Sequence, residues 1–114
     1  MTKRIVFRNM EKTAHMEEYC DKKLAKIVLF LEKEDRFPIN LDLVLEPSKV
    51  HAHHKAELRV TTPDFHKISH QEGSEFYEVL DRVIDTMYKE LHEEKRKLQE
   101  HKRELNREHD PKKK

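Results

Sequence analysis

The sequence predicts an α+β fold with the order β-α-β-β-β-α. Two segments repeat apolar residues every three or four positions, as amphipathic helices do. Four shorter segments are predicted to be strands, and most of them alternate apolar with polar residues. A small sheet with one apolar face and two amphipathic helices is expected to form two layers. We therefore expect two helices packed on one face of a four-stranded sheet.

The composition limits the kinds of protein that this chain can be. Its 114 residues suffice for one domain with a modest core, although 41% of them are charged and the mean hydropathy is −1.02. The net charge of +1 argues against nucleic-acid binding by bulk charge, so any such surface must come from the arrangement of charges. We expect no signal peptide and no membrane span, and a single cysteine allows no internal disulfide. These features predict a cytoplasmic protein.

The N-terminal part is expected to contain a strand and then a helix. The stretch "KRIVFR" (3–8) has the alternation of a half-buried strand. Thr13 fits a helix N-cap, because its hydroxyl can accept a hydrogen bond from the first turn. Apolar residues then recur in steps of four, four, three and four: Met16, Cys20, Leu24, Ile27 and Leu31. We expect this helix to reach about Glu34, since Pro38 cannot continue it.

Three further strands are predicted. "INLDLVLE" (39–46) and residues 50–62 both alternate apolar with polar residues, whereas "FHKISH" (65–70) predicts a shorter strand that Gly73 closes. In 50–62 the face toward the core takes Val50, Ala52, His54, Ala56, Leu58 and Val60. The opposite face takes His51, His53, Lys55, Glu57, Arg59 and Thr61.

The C-terminal part predicts one long helix with Ser74 as its N-cap. Its core stripe is Tyr77, Leu80, Ile84, Met87 and Leu91, with Val83 beside it. Beyond this stripe only Leu98 and Leu105 continue the pattern, so the helix should project past the core. We accordingly divide the chain into a domain of residues 1–91 and a charged helical extension with a basic tail, residues 92–114.

The charges on the two predicted helices are sorted. At 100° per residue, one flank of the first helix carries His15, Tyr19, Lys22, Lys26 and Lys33, and the other carries Glu17, Asp21, Glu32 and Asp35. On the second helix Arg82, Lys89, Arg96 and Arg103 recur every seventh residue, with Glu75, Glu93 and Glu100 near them. One interpretation is a basic strip shared by both helices that grips phosphates; the other is a solvated face with internal salt bridges.

The histidines of "HAHH" (51–54) raise the question of a metal site. His51 and His53 share a strand face, but zinc needs further ligands and the sequence has no recognised ligand spacing. We predict neither a metal site nor another cofactor. With Lys55 and Arg59, these histidines should form a polar, weakly cationic sheet surface that contacts RNA backbone or only water. Without a catalytic triad, a nucleophile elbow or a phosphate-binding glycine loop, no enzyme is predicted.

Three stretches of the sequence resemble one known family. They are "EKTAHMEEYCDKKLAKI" (11–27), "KVHAHHKAELRV" (49–60) and "EGSEFYEVLDRVID" (72–85). All three are similar to segments of the ribosome hibernation-promoting factors, the family of ribosome-associated inhibitors and sigma-modulation proteins. The last stretch resembles the family motif Glu-Gly-x-Asp-Met-Tyr-x-x-Ile-Asp-x-x-Ile-Asp and matches it at Tyr77, Asp81 and Asp85. The likeness runs in order over about residues 3–102.

This resemblance implies a fold similar to double-stranded-RNA-binding domains and a function in translation. It implies binding to the RNA of the small ribosomal subunit, in the channel for messenger and transfer RNA, and silencing of idle ribosomes. The family's RNA-facing cations correspond to Lys22, Lys23, Lys26, Arg82 and Lys89, and all but Lys23 also stand out by helical geometry. We add Lys55 and Arg59 from the sheet surface. Glu90, Glu93 and Glu94 depart from the basic run of the family, which weakens the case for RNA contacts beyond Lys89.

The resemblance further implies a short-form factor, which we expect to be a monomer when free. Such a factor would need a second ribosome-modulating protein to pair ribosomes, or would only silence single ones. Two alternatives stay open. One is an RNA-binding module of similar fold that recognises another structured RNA by its shape. The other is a protein-interaction module in which Leu91, Leu98 and Leu105 form the seam of a helical oligomer.

Overall fold

The computed structural model describes residues 1–9, 13–34, 37–46 and 53–108, and the order of its elements is the predicted one. The elements are β1 (Thr2–Phe7), α1 (Ala14–Glu34), β2 (Asn40–Glu46), β3 (His54–Thr61), β4 (His66–Gly73) and α2 (Phe76–Glu108). The predicted α+β class is confirmed. Residues 50–52 at the start of the predicted third strand, including His51, lie outside the described residues, as does the basic tail.

The sheet has the strand order β1-β2-β3-β4, so neighbours in the sheet are neighbours in the sequence. β1 and β2 are parallel because α1 carries the chain back between them, and the other two pairs are antiparallel. Ile5, Leu43, Leu58 and Ser69 lie in register across all four strands, in a row that faces the core. α2 lies across β3 and β4 and packs beside α1.

The core lies between the sheet and the helices, and it contains most of the residues predicted for it. From α1, β2 and the residue before β2 it takes Cys20, Leu24, Ile27, Leu31, Ile39, Leu41, Leu43 and Leu45, and from β3 Ala56, Leu58 and Val60. From α2 it takes Phe76, Val79, Leu80, Val83, Ile84, Met87 and Leu91. The predicted stripe omitted Phe76 and Val79 and counted Tyr77, which is only half-buried. Gly73 allows this packing, since a Cβ there would lie 3.0 Å from Cγ2 of Val79.

β4 is longer than predicted, with eight residues, the same as β3. Its full length could not be predicted from apolar alternation, because the side chains on its core side are polar and the apolar Ile68 points to solvent. Pairing with β3 sets this phase. Ser69 is buried, and its hydroxyl donates a 2.9 Å hydrogen bond to the carbonyl oxygen of Val83 in α2. A small polar residue is therefore buried on the core side of β4 with its hydrogen bond satisfied.

The two helices begin differently from one another. The Thr13 hydroxyl accepts a hydrogen bond from the amide of Met16 at 3.1 Å, which confirms the predicted N-cap of α1. For α2 the first bond runs from the amide of Val79 to the carbonyl of Glu75, at 3.0 Å. Glu75 therefore occupies the N-cap position, and the prediction of Ser74 was wrong by one residue.

α2 has 33 residues, about 50 Å of helix at 1.5 Å per residue. Among residues 76–105, whose burial is described, Leu91 is the last fully buried one, but contacts with the rest of the chain continue past it. Lys95 Nζ lies 2.8 Å from a carboxylate oxygen of Glu34, and Lys67 Nζ lies 2.9 Å from a carboxylate oxygen of Glu94. Leu105 is exposed. Within the described part of the chain, neither helix is long and apolar enough to cross a membrane.

Candidate nucleic-acid interface

The two helices lie parallel, side by side, on the sheet. Tyr19 contacts Asp81, Lys26 contacts Asp85 and Glu34 contacts Lys95, so both helices advance in the same direction along their shared boundary. Their outward surfaces together form one layer, which we call the helical face. All five predicted cations of the two helices lie on this face or at its central boundary.

A polar and aromatic seam joins α1 to α2, formed by Tyr19, Lys23, Lys26, Asp81, Asp85 and Tyr88. The Tyr19 hydroxyl donates to Oδ1 of Asp81 at 2.9 Å, and Lys23 Nζ lies 3.6 Å from the same oxygen. Lys26 Nζ lies 2.6 Å from Oδ1 of Asp85 and 4.9 Å from the ring centroid of Tyr88. Burial, and then the hydrogen bond to Asp81, raise the pKa of Tyr19 to about 12. Two of the predicted RNA contacts, Lys23 and Lys26, are therefore already paired with carboxylates.

The other predicted cations of the helical face are more available. Lys22 and Lys89 are exposed, and neither forms an ion pair with a residue that the structure describes. Arg82 lies 3.9 Å from Glu78, one turn earlier on the same helix. Exposed pairs of this kind contribute little and are easily exchanged for another anion. Three cations of the helical face are thus free, or nearly free, to meet phosphate.

Several charged residues of α2 beyond Lys89 pair with one another. Arg96 is held between Glu93 and Glu100, with 2.6 Å between its Nη1 and Oε1 of Glu100. The hydrogen bond from Arg96 lowers the pKa of Glu93. In this part of α2 the structure matches the interpretation of a solvated face with internal salt bridges.

Lys55 and Arg59 lie on the open face of the sheet, opposite the helices. Arg59 Nε is 3.0 Å from Oε2 of Glu57 on the same strand, while Lys55 is exposed. His53 Nε2 lies 2.8 Å from Glu72, and this hydrogen bond lowers the pKa of the Glu72 carboxyl. The structure therefore divides the seven predicted cations between two opposite surfaces, and no single flat RNA surface can meet both.

The histidines of the third strand separate in the structure. His54 is half-buried, with its ring centroid 5.9 Å from that of Phe76, as the sequence predicted. His53 is exposed on the open face, and His51 lies outside the described residues. Among the residues that are described, no three side chains of His, Cys, Asp or Glu are placed to hold a metal ion.

Comparison with known proteins decides the family. Residues 4–99 match the family described as Sigma 54 modulation protein / S30EA ribosomal protein. The chain belongs to this family. The resemblance found in the sequence is thereby confirmed, and the protein is a ribosome-associated one. No curated protein sequence matches the chain significantly.

Two solved structures share the fold of this family member. The N-terminal domain of Protein Y from Thermus thermophilus has a TM-score of 0.63 and 24% identity, over 79% of this chain and 94% of that one. A ribosomal subunit interface protein from Coxiella burnetii has a TM-score of 0.65 and 16% identity, over 83% of this chain and 98% of that one. At these identities the likeness shows the fold alone.

Sequence reasoning missed the carboxylates that face the lysines across the seam. Asp81 and Asp85 were noticed only as matches to the motif of the family, not as ion-pair partners. A helical projection treats each helix alone, so it cannot reveal that the basic flank of α1 lies against an acidic edge of α2. The available signal was their spacing of four residues, which places both on one side of α2.

Proposed function

We propose that this protein binds the small ribosomal subunit in the channel for messenger and transfer RNA, and thereby silences idle ribosomes. The observation that carries the proposal is the exposure of Lys22, Arg82 and Lys89 on the helical face of a member of this family. Binding there would place the protein in the cytoplasm. It would act as a monomer, and would require a second protein if ribosomes are to pair.

Phosphate contact explains how a chain of net charge +1 can bind RNA. Each lysine or arginine that neutralises a phosphate releases condensed counterions, so affinity depends on the local cations and falls steeply with salt. Lys22 and Lys89 supply such contacts without first breaking an ion pair to a described residue. Arg82 must break only its long ion pair of 3.9 Å with Glu78. Lys23 and Lys26 contribute less, because a phosphate must first replace their seam carboxylates.

Lys55 and Arg59 belong to the proposal as a separate contact. A channel walled by ribosomal RNA surrounds its occupant, so the open face of the sheet can meet a second wall. The two surfaces are testable independently because the sheet separates them. Replacing Lys55 and Arg59 by glutamine should weaken subunit binding without changing the contribution of the helical face.

The first experiment is co-sedimentation of the protein with purified small subunits over a salt series. The unchanged protein should bind stoichiometrically, resist competition by an unrelated RNA duplex, and be displaced by transfer RNA with messenger RNA. The variant Lys22→Gln with Lys89→Gln should bind more weakly and lose about 1.4–1.8 from the slope of log affinity against log salt, at about 0.7–0.9 per phosphate.

The matched control is Arg96→Gln, a cation on the same helix whose charge two glutamates already neutralise. It should leave the salt slope nearly unchanged. An unchanged slope in the variant lacking Lys22 and Lys89 would refute the proposed face. Equal loss of the protein to an RNA duplex would instead favour the alternative, a module that recognises another structured RNA by shape.

A further inference from the structure

We propose that Asp81 and Asp85 are specificity-determining residues, which restrain the helical face so that it binds its RNA target but not RNA in general. This inference rests on the proposed function and concerns the same face. It assigns the two carboxylates a role beyond joining the helices. They reduce the affinity for any RNA that must contact the seam lysines, Lys23 and Lys26, in order to bind.

The contacts show that each carboxylate occupies one lysine. Asp85 lies 2.6 Å from Lys26 Nζ, and Asp81 lies 3.6 Å from Lys23 Nζ. Both lysines are also placed over aromatic rings, Lys26 over Tyr88 at 4.9 Å and Lys23 over Tyr19 at 5.5 Å. Each ammonium group therefore contacts a carboxylate and an aromatic ring before RNA binds. An RNA phosphate must displace the carboxylate to reach the lysine.

The ion pairs are exposed enough for an RNA phosphate to compete with the carboxylates for the two lysines. The side chains of Lys26 and Asp85 are 42% and 59% exposed, so a phosphate can approach the lysine but meets the negative charge of Asp85 beside it. Asp81 is held in addition by the Tyr19 hydroxyl, so it stays in place even if Lys23 turns away. Both carboxylates thus remain near the path of the RNA backbone and repel it.

This repulsion acts unequally on different RNAs. An unrelated duplex offers only the regular spacing of its own phosphates, so it binds through whichever cations its backbone reaches, including Lys23 and Lys26. A target with phosphates opposite the three available cations gains most of its affinity without opening the seam. The carboxylates therefore reject wrong partners more than the right one, a use of unfavourable charge for selectivity.

The test is the double variant D81N with D85N. The amide has the shape of the carboxylate, and its oxygen still accepts the hydrogen bond from Tyr19, so the helices should stay joined while Lys23 and Lys26 are released. The control is E32Q with E104Q, which removes two exposed carboxylates outside the seam that form no ion pair with a residue the structure describes. Both variants change the net charge by the same amount.

Each protein is titrated with an unrelated 20-base-pair RNA duplex and with purified small subunits, over a salt series. For D81N with D85N we expect duplex affinity to rise about tenfold, with a salt slope steeper by about 1–2, since two lysines become available. Subunit affinity should rise at most about threefold, so the ratio of the two affinities falls. The control should change the duplex affinity much less.

Three results would overturn the inference: no change in duplex binding, equal gains for the duplex and the subunits, or equal gains in the control. Thermal unfolding checks the fold, and D85N alone serves if the double variant is unstable, because Asp85 is the more exposed of the two. Failure of the unchanged protein to bind subunits would refute the proposed function. The duplex titrations would still show whether the seam restrains RNA binding.

Discussion

Removal of residues 92–114 tests where the folded domain ends. The apolar stripe of α2 becomes sparse after Leu91, which led us to predict a domain of residues 1–91. The contacts of the following turns predict that a chain cut after Leu91 is folded but clearly less stable. The division at this residue therefore remains a prediction that unfolding experiments can check.

The magnitude follows from four contacts that the cut removes. The pairs Lys95 with Glu34 and Lys67 with Glu94 are partly exposed and contribute up to about 1 kcal/mol each. The His92 ring lies 4.6 Å from those of Phe30 and Tyr88, a contact of about 0.5–1.5 kcal/mol. Leu98 is half-buried and adds about 1 kcal/mol. Together we expect a loss of about 2–4 kcal/mol in the free energy of unfolding.

Urea unfolding followed by circular dichroism measures this loss. The urea concentration at the midpoint of unfolding should be about 1–2 M lower for the chain cut after Leu91 than for the full chain, given the usual dependence of stability on urea in small proteins. The matched control is a chain cut after Glu104, which removes the exposed Leu105 and later residues and should change stability by less than about 0.5 kcal/mol. Equal stability of the chain cut after Leu91 and the full chain would show that residues 92–104 only project from the domain, and would refute the reasoning.

The remaining predictions concern Cys20, which is buried, and Tyr77, which is half-buried. Burial raises the pKa of the Cys20 thiol from 9.0 to about 12, so at pH 8 it should react with a thiol reagent only as fast as the protein unfolds; fast reaction of the folded protein would contradict this. Because the folded-state pKa is the higher one, this group should lower stability as the pH rises from about 9 toward 12, and C20A should reduce that loss in urea titrations. Tyr77→Ala should cost about 2–3 kcal/mol, less than a fully buried aromatic, since the ring is half-buried and packs on Tyr19 at 4.7 Å. A loss below 1 kcal/mol, with Y77F as the control, would show that this ring adds little to the fold.

The predictable part of the fold is the part that burial makes periodic. Leu24, Ile27 and Leu31 are buried at the predicted helical spacing, and residues 39–46 alternate as expected, because each element buries one face. β4 escaped this reasoning, since its buried position holds Ser69 and its phase is set by pairing with β3. The register between two strands is a tertiary property, so the phase of β4 could not be derived from its own residues.

The same limit applies to the candidate site. The basic flank of α1 was visible from the sequence, and Lys22 and Lys26 do lie on the helical face. Whether a lysine is paired depends on the neighbouring helix, so the difference between Lys22 and Lys26 could not be predicted from α1 alone. The separation of Lys55 and Arg59 from the helical cations follows from the predicted layers, because alternate residues of β3 face opposite sides of the sheet.

The long second helix also affects how the size of the protein in solution is measured. The molecule extends 67 × 24 × 17 Å and has a radius of gyration of 17.7 Å, whereas a compact chain of its length would have about 13 Å. An elongated particle diffuses more slowly than a sphere of equal mass and leaves a gel-filtration column early. A monomer of 13.9 kDa will therefore elute at the position of a larger, dimer-like globular protein. Light scattering or equilibrium sedimentation, which report mass independently of shape, are the measurements that can verify the predicted monomer.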